Sequence, residues 1–274
     1  MNRESVPTPA HIYRLEILLW EHTFFSSREI GPFFQTEPLI GNYALAYALG
    51  LAQSPYRVTV DETTGKQPVS YKRDLGPLNE RGIYITPATI VGEPKFALTQ
   101  YNAQTDTYWS AFAQNAIVSR QDHERLKYEN QRWQQFDPTT GIWKKSPRAK
   151  PVNFPQHGRI KMLALGNRAI GYVITSAPLE VALPSYMRLG KFMSKAAVTV
   201  THQHSQPEQR TNQIVEGFLN PADLPNTESL RVFDLVSIHP APLIRHAQLD
   251  GWFYRAPDSA WLPAGMRFGV EGLA

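Results

Sequence analysis

Apolar residues follow two different periods in the first fifty residues. Residues 13–19 alternate between apolar and polar side chains, which is the pattern of a strand with one buried face. Over residues 39–51 the apolar positions recur at helical spacing. Thr36 is a plausible N-cap, and Pro38 suits a first helical turn, so the pattern predicts a helix that ends near Ala52. A strand, a loop and a helix that packs back on the sheet are therefore expected here.

Two later segments predict β-hairpins. Residues 159–165 and 168–174 are strand-like, and Gly166-Asn167 between them is a favoured two-residue turn. Residues 183–204 predict a second hairpin, whose loop contains Gly190. Many strands, one clear helix and long insertions predict an α+β fold, with an antiparallel sheet of the RRM-like or ferredoxin-like kind and a helix on one face.

The loop of this second hairpin carries an unusual mixture of side chains. Residues 184–195 contain three cations, two aromatic rings, one glycine and a hydroxyl near its end. The glycine permits a positive φ and a close approach to another molecule, the cations neutralise an anion, and the rings offer faces for stacking. This combination favours a phosphodiester backbone, and the alternative is a solvated loop whose lysines keep it soluble. The candidate nucleic-acid-binding residues are Tyr186, Arg188, Gly190, Lys191, Phe192, Ser194 and Lys195.

Positive charge is concentrated in a segment without apolar periodicity, residues 101–158. Ten Lys or Arg and four Asp or Glu lie between Arg120 and Lys161, so the local net charge of +6 exceeds the +4 of the whole chain. Basic and aromatic residues interleave here, which suits gripping single-stranded nucleic acid or docking on a protein neighbour. The candidate contact residues are Arg125, Lys127, Arg132, Trp133, Lys144 and Lys145.

Composition narrows the function classes. The 274 residues are 42% hydrophobic, which suffices for a real core, and the absence of cysteine excludes disulfides, thiolate metal sites and a cysteine nucleophile. The polar first ten residues and the short apolar runs predict a soluble, cytoplasmic protein without a membrane partner. No nucleophile elbow, Walker loop, dinucleotide fingerprint or metalloprotease helix motif occurs, which disfavours most hydrolase and oxidoreductase classes.

Two histidines allow three interpretations: a metal site, a general base of a ribonuclease, or plain strand surface. His202 and His204 lie two positions apart on a predicted strand, so their rings face the same side. They can share a metal ion, although a third ligand is missing nearby, or one can act as the general base of a metal-independent ribonuclease. The third interpretation is plain strand surface. We expect no metal and no cofactor.

Four blocks of the chain resemble a known family, the type I-D CRISPR-associated Csc-one proteins, which are the Cas-five-type subunits of the type I-D Cascade. Residues 24–51 resemble the opening of that family, and residues 186–195 resemble its basic glycine segment. The closing blocks 251–255 and 262–267 are also similar. The match is spread over most of the chain and is weakest in the central segment.

The resemblance implies a single Cas-five-like domain over residues 1–274, with an RRM-like core and a long β-hairpin thumb, for which residues 101–158 are the candidate. It also implies a place at the foot of a crRNA-guided surveillance complex in antiviral defence. There the subunit holds the 5′ handle of the crRNA and bridges the large subunit and the first backbone subunit, near target double-stranded DNA and its flanking motif.

The resemblance also bears on catalysis and on the binding mechanism. Cas-five-type proteins of another subtype cut RNA, but a separate subunit is expected to process crRNA in type I-D, so a non-catalytic role is expected. The alternative is a metal-independent endoribonuclease that processes CRISPR repeat RNA. In the binding mechanism, backbone N–H groups near Gly190 contact handle phosphates, cations neutralise them, and Tyr186 or Phe192 stacks on a base. Arg28 adds a contact from the first loop.

Overall fold

The computed structural model describes residues 6–31, 33–53, 70–102, 108–111, 116–119, 126–129, 132–145, 157–225, 230–238 and 241–270. The chain divides into two compact units. The first contains residues 1–30, 34–98 and 161–274, and the second contains residues 31–33 and 99–160.

Short strands dominate the described residues. The strands are β1 (Ala10–Leu19), β2 (Arg28–Ile30), β3 (Phe33–Gln35), β4 (Leu39–Ile40), β5 (Ile83–Ile85), β6 (Ala88–Ile90), β7 (Phe96–Asn102), β8 (Tyr108–Ala111), β9 (Ala116–Ser119), β10 (Leu126–Glu129), β11 (Arg132–Asp137), β12 (Ile142–Lys145), β13 (His157–Leu163), β14 (Arg168–Thr175), β15 (Tyr186–Leu189), β16 (Ser194–Ser205), β17 (Glu208–Val215), β18 (Leu230–Val236), β19 (Leu243–Arg255) and β20 (Trp261–Pro263). The helices are α1 (Asn42–Ala48), α2 (Tyr71–Glu80) and a 3-10 turn over Pro221–Asp223.

A seven-stranded sheet forms the centre of the first unit. Its strand order is β15-β16-β1-β14-β6-β4, and β5 also pairs with β14. β1 lies between β14 and β16 and is antiparallel to both. Leu15, Ile17 and Leu19 of β1 are buried, which confirms the strand predicted from the alternation of residues 13–19. These side chains share one hydrophobic core with residues of α1 and α2.

Two further sheets are built from the remaining strands that contain residues of the first unit. β17, β19 and β18 pair in that order, with β20 added to β19. β18 is an edge strand in this order, and five of its seven residues are exposed. β2, β3, β13 and β7 form a four-stranded sheet in that order.

The second unit contains strands of its own. β8 pairs with β9, and β11 pairs with both β10 and β12. This unit covers almost the same residues as the positively charged segment 101–158. That the segment is a thumb inserted into a single functional domain stays a prediction.

The predicted first helix begins later than expected. α1 begins at Asn42, because Leu39 and Ile40 form β4 and pair with β6. The Thr36 hydroxyl does not cap the helix: it donates to the carbonyl oxygen of Phe25 (2.8 Å) and accepts from its N–H (3.0 Å). Pairing with a distant strand therefore outweighed the local helical signal.

One predicted hairpin is confirmed and the other is wrong. β15 and β16 pair directly, with Arg188 opposite Lys195 and Leu189 opposite Ser194. The strands on either side of Gly166-Asn167 instead belong to different sheets, since β14 pairs with β1, β5 and β6 while β13 lies beside β3 and β7. The Asn167 side chain bonds to both backbone groups of Lys95, which holds the connection between the two sheets.

A buried carboxylate joins distant parts of the first unit. Asp223 has no exposed surface, and its Oδ2 accepts hydrogen bonds from Asn42 Nδ2 (2.7 Å) and the Tyr84 hydroxyl (2.9 Å). Its Oδ1 accepts from the backbone N–H of Gly269 (2.8 Å). Burial raises the pKa of Asp223 to about 6, against the opposing effect of these hydrogen bonds. The carboxylate thus connects α1, β5 and the C-terminal segment.

The predicted fold class is confirmed at a coarse level. Every strand pair with a resolved register in the described residues is antiparallel, and the helices are few and short. None of the described helices is long and apolar enough to cross a membrane. A specifically RRM-like or ferredoxin-like arrangement stays a prediction.

Candidate nucleic-acid interface

One face of the seven-stranded sheet is partly open to solvent near the β15–β16 hairpin. Paired residues on neighbouring strands share a face, and side chains alternate along each strand. Tyr186 and Leu18 are both opposite Ala197, and Arg188 is opposite Lys195, so these side chains lie on one face. We call this surface, completed by Trp20 at the end of β1, the open face.

The open face presents aromatic rings around a lysine. Tyr186 is 52% exposed and Trp20 is 45% exposed. Their rings meet edge to face at 5.2 Å, and the Nζ of Lys195 lies 4.9 Å from each ring centroid. A cation held over two half-exposed rings can contact a phosphate while the rings stack on bases.

The tip of the hairpin is held against the rest of the chain by Gly190. This residue has a φ of +70°, and a Cβ there would lie 2.3 Å from the carbonyl oxygen of Phe24. The Lys191 N–H donates to that same oxygen at 2.8 Å. The Lys191 N–H is therefore bonded within the chain, and the close approach that Gly190 permits here is to Phe24. A contact between other backbone N–H groups near Gly190 and a phosphate stays a prediction.

The side chains at the tip remain available. Phe192 and Met193 are 55% and 61% exposed. The ring of Phe192 packs against that of Phe24 with centroids 5.2 Å apart, and the Nζ of Lys191 lies 5.8 Å from the Phe24 ring. The tip thus presents one more exposed ring and one more cation beside the open face.

Ser194 does not belong to the interface as predicted. It is only 2% exposed, and its hydroxyl donates to the carbonyl oxygen of His22 at 2.7 Å. Because it lies opposite Leu189, whose side chain is in the core, it points to the buried face. Its role is to fix the hairpin to the end of β1.

An acidic residue lies among these cations. The Oε2 of Glu21 accepts the backbone N–H of Lys195 at 2.7 Å and lies 3.8 Å from Nη1 of Arg188. The same guanidinium donates to the carbonyl oxygen of Met193 at 3.1 Å. Arg188 is therefore positioned by two groups of its own chain while its side chain stays 57% exposed.

The other predicted contacts lie elsewhere. Arg28 is on β2, outside the seven-stranded sheet, and its Nε pairs with Glu37 at 2.8 Å. Arg125 lies outside the described residues, while Lys127 is on β10, Arg132 and Trp133 are on β11, and Lys145 is on β12. Lys144, also on β12, is exposed, and its Nζ pairs with Asp137 at 2.6 Å.

The structure adds a third ring to the two predicted histidines. His11 of β1 lies opposite His204, and its Nδ1 is 3.0 Å from Nε2 of His202. The His11 pKa is lowered from its usual value, first by loss of solvent and then by the charges of His204 and His202. The described residues contain no group of three or more His, Asp or Glu side chains arranged to hold a metal ion.

Sequence reasoning missed two residues of the open face. Leu18 is 38% exposed, and Trp20 follows it on the same face. The alternation of residues 13–19 contained the signal, because the positions out of phase with Leu15, Ile17 and Leu19 must face the other side of the sheet. What the pattern lacked was the neighbouring hairpin, which brings Tyr186 and Lys195 to these residues.

Comparison with known proteins gives one family match. A family model described as type I-D CRISPR-associated protein Cas5/Csc1 matches residues 10–271. No curated protein matches the chain.

Seven chains of solved structures match as well. One comes from a cryo-EM structure of the type III-B Cmr-beta bound to cognate target RNA and AMPPnP, with 12% sequence identity and a TM-score of 0.30. The match covers 88% of this chain and 86% of that chain. At this TM-score the likeness does not establish a shared arrangement of the elements.

Proposed function

Since the chain belongs to the type I-D CRISPR-associated Cas5/Csc1 family, we propose that it is a non-catalytic, RNA-binding subunit of the type I-D effector complex, Cascade. It holds the 5′ handle of the crRNA and bridges the large subunit and the first backbone subunit, beside the flanking motif of target double-stranded DNA. The first unit supplies an RRM-like core, and residues 101–158 supply the thumb.

The observation that carries this proposal is the arrangement of Trp20, Tyr186 and Lys195 on the open face. The two rings are half-exposed, and the ammonium group lies 4.9 Å from both. Proteins that bind single-stranded RNA on a β-sheet stack bases on such rings and neutralise the backbone with nearby cations. Trp20 is far in sequence from Tyr186 and Lys195, and folding brings the three side chains together. A solvated loop whose lysines only keep the protein soluble would not need this arrangement.

Charge on the open face supports a polyanionic ligand. Arg188, Lys191 and Lys195 come from the hairpin, and Arg168 lies opposite Leu18 on β14. Two acidic groups pair with these cations: Glu21 lies beside Arg188, and Glu16 pairs with Arg168. Four cations and two carboxylates leave a net positive charge, which favours binding of phosphates. This net charge is small, so stacking on the aromatic rings must also contribute to the affinity for RNA.

The decisive experiment is to co-express the chain with the other subunits and a CRISPR array, purify the assembly, and sequence the RNA that it contains. We expect discrete short RNAs that share one 5′ end. A variant with Trp20, Tyr186 and Lys195 replaced by alanine should join the assembly with much less RNA, while replacement of the exposed Lys72, Arg81 and Arg267 should change nothing. Wild-type protein without RNA, or RNA with random ends, would contradict the proposal.

The histidine cluster motivates one competing function, a metal-independent endoribonuclease. Two imidazole nitrogens 3.0 Å apart form a hydrogen bond in which one ring donates its N–H and the other accepts it. Such a pair orients each ring, and an imidazole nitrogen with a free lone pair can act as a general base. The proposed non-catalytic role predicts that the purified chain leaves repeat RNA uncut in EDTA. Cleavage that is lost in His11→Ala or His202→Ala, but retained in His246→Ala, would establish the endoribonuclease instead.

A further inference from the structure

The first unit contains a cavity of about 200 Å³ between α1, the loop that follows β1, and the segment around Leu243. Its walls are largely apolar and include four aromatic rings, from Phe25, Tyr43, Tyr47 and Tyr71. A cavity of about 150 Å³ in another protein is large enough for benzene. The space here is therefore sufficient for a planar ring system of the size of a nucleobase.

One buried polar atom at this cavity lacks a partner. Asn42 lines the cavity and is 3% exposed, and its Nδ2 donates to Asp223 (2.7 Å) and to the Tyr84 hydroxyl (3.4 Å). A carboxylate only accepts hydrogen bonds, so the nitrogen must face Asp223 and the oxygen must face away. Within the part of the chain that the structure describes, Oδ1 of Asn42 accepts no hydrogen bond.

An unsatisfied buried acceptor is costly and asks for an explanation. A ligand that brings an N–H group into the cavity would satisfy this oxygen. An aliphatic side chain would fill the apolar walls but leave Oδ1 without a donor. Every nucleobase has at least one N–H donor on its pairing edge or in its exocyclic amino group, and its ring suits aromatic walls.

The cavity is next to the hairpin tip of the open face. Phe25 lines it, and the preceding Phe24 accepts the Lys191 N–H and packs against Phe192. α1, which forms another wall, contacts β15 of the same hairpin. The cavity therefore lies near the hairpin tip, which carries the exposed Phe192 and the cation of Lys191.

We propose that this cavity receives one unpaired nucleobase of the bound RNA, stacked among the tyrosine rings, with an N–H of its edge donated to Oδ1 of Asn42. This inference rests on the proposed RNA-binding function and adds a binding site for a single base to it. The open face binds the backbone and stacks on bases without regard to sequence, whereas the cavity distinguishes one position of the RNA. The site requires a base at that position, because an abasic nucleotide supplies neither a ring for the aromatic walls nor an N–H for Oδ1.

The test measures the affinity of the full-length chain for a labelled single-stranded RNA that carries the 5′ handle of the cognate repeat. Each nucleotide is replaced in turn by an abasic one. We expect one position outside those stacked on the open face at which the loss of the base weakens binding about tenfold, the size of one stacking contact. Ala44→Phe places a ring in the cavity, and this variant should no longer respond to the base at that position.

Matched controls separate the cavity from general effects. Ala177→Phe makes the same change at an exposed position and should retain the wild-type abasic profile. Ala241→Phe fills the cavity from the opposite wall and replaces Ala44→Phe if that variant loses its thermal unfolding transition. Lys195→Ala should weaken binding of every RNA in the series equally and leave the position-specific response intact.

The outcomes are distinguishable. An equal response to all abasic positions, or an Ala44→Phe profile identical to wild type, would overturn the nucleobase site and leave the proposed function standing. If Ala44→Phe keeps the RNA profile but loses a partner subunit on purification, the cavity holds a protein side chain and the inference is wrong. No binding of any of these RNAs by the wild-type chain would contradict the proposed function and this inference with it.

Discussion

Gly190 occupies a position where no side chain fits. Its φ of +70° is strained for other residues, and an added Cβ would meet the Phe24 carbonyl oxygen at 2.3 Å. Gly50 has nearly the same φ, +72°, but open space around it, which makes it a matched control. The two glycines therefore separate backbone strain from a steric clash.

We predict that Gly190→Ala destabilises the protein more than Gly50→Ala. The left-handed conformation alone costs roughly 1–2 kcal/mol for alanine, and at Gly190 the clash with backbone atoms adds a further cost of about 2 kcal/mol. Urea unfolding followed by tryptophan fluorescence measures both variants. Equal losses in the free energy of unfolding would show that the contact with Phe24 contributes nothing.

Asp223 makes stability depend on pH in an unusual direction. Its folded-state pKa of about 6 lies above the ordinary aspartate value of 3.8, so between these pH values the folded state holds a proton that the unfolded state releases. The contribution of Asp223 to stability is therefore largest below pH ~4 and is lost as the pH rises through about 6. The size of the change is on the order of 3 kcal/mol.

Asp223→Asn isolates this effect. The stability difference between wild type and variant, measured by urea unfolding from pH 4 to pH 8, should shrink as the pH rises and level off above pH ~7. The variant should be less stable at every pH, because the Asn amide has only one acceptor oxygen. Its NH2 group must face either the donors of Asn42 and Tyr84 or the N–H of Gly269. A difference that grows with pH would mean that the folded-state pKa is not raised.

Residue type and spacing were enough to locate part of the candidate site. Tyr186, Arg188 and Lys195 stood out because rings and cations alternate around a glycine. The burial of Ser194 was not predictable, because it depends on the carbonyl of His22, which is 172 positions away. Trp20 was missed for the same reason, since its partners belong to a distant hairpin.

At the scale of elements, the β15–β16 hairpin is the part of the interface that local sequence determined best. Its strands are joined by a tight loop, so their pairing depends on neighbours in sequence. The predicted start of the first helix was wrong because β4 pairs with β6. The predicted hairpin at Gly166-Asn167 was wrong because β14 pairs with β1. Both partner strands are distant in sequence. Long-range pairing overrides local propensity wherever it buries more apolar surface.

The hairpin cations should determine how RNA binding responds to salt. If Arg188, Lys191 and Lys195 each displace one counterion, they contribute a slope of roughly −2 to the plot of log K against log salt for single-stranded RNA. Replacing all three with alanine should flatten the slope by that amount, as fluorescence anisotropy at several salt concentrations would measure. The control removes the same charge by replacing Lys72, Arg81 and Arg267, which are exposed outside the hairpin. An unchanged slope in the hairpin variant would exclude these cations from the interface.

At the scale of the whole molecule, the chain divides into two compact units, and the charged segment falls in the second. The hydrophobic core that the described residues form belongs to the first unit. Sequence composition already set residues 101–158 apart, because they combine high charge with no apolar periodicity. It did not indicate the strands that pair within the second unit, since their apolar residues are few and scattered.

We therefore predict that the first unit folds alone. A chain in which a flexible Gly/Ser linker replaces residues 101–158 should unfold in one cooperative transition, with its midpoint close to that of the full chain. It should also retain single-stranded RNA binding through the open face. Urea unfolding and anisotropy test both points, and the absence of a cooperative transition would show that the second unit is needed for the core to form.

Glu21 gives the open face a competitor for its own ligand. Before RNA binds, this carboxylate lies 3.8 Å from Arg188, so a phosphate must exchange with it instead of meeting a free cation. Because the phosphate must replace Glu21 at Arg188, the binding free energy of any polyanion is less favourable. Complexes that lack further contacts therefore dissociate sooner. Glu21→Gln keeps an oxygen to accept the Lys195 N–H but removes the charge, so RNA of any sequence should dissociate more slowly from it in stopped-flow measurements. The Glu21→Gln variant would then retain unrelated cellular RNA nearly as long as the correct guide, and the wild-type difference in lifetime between the two would be lost.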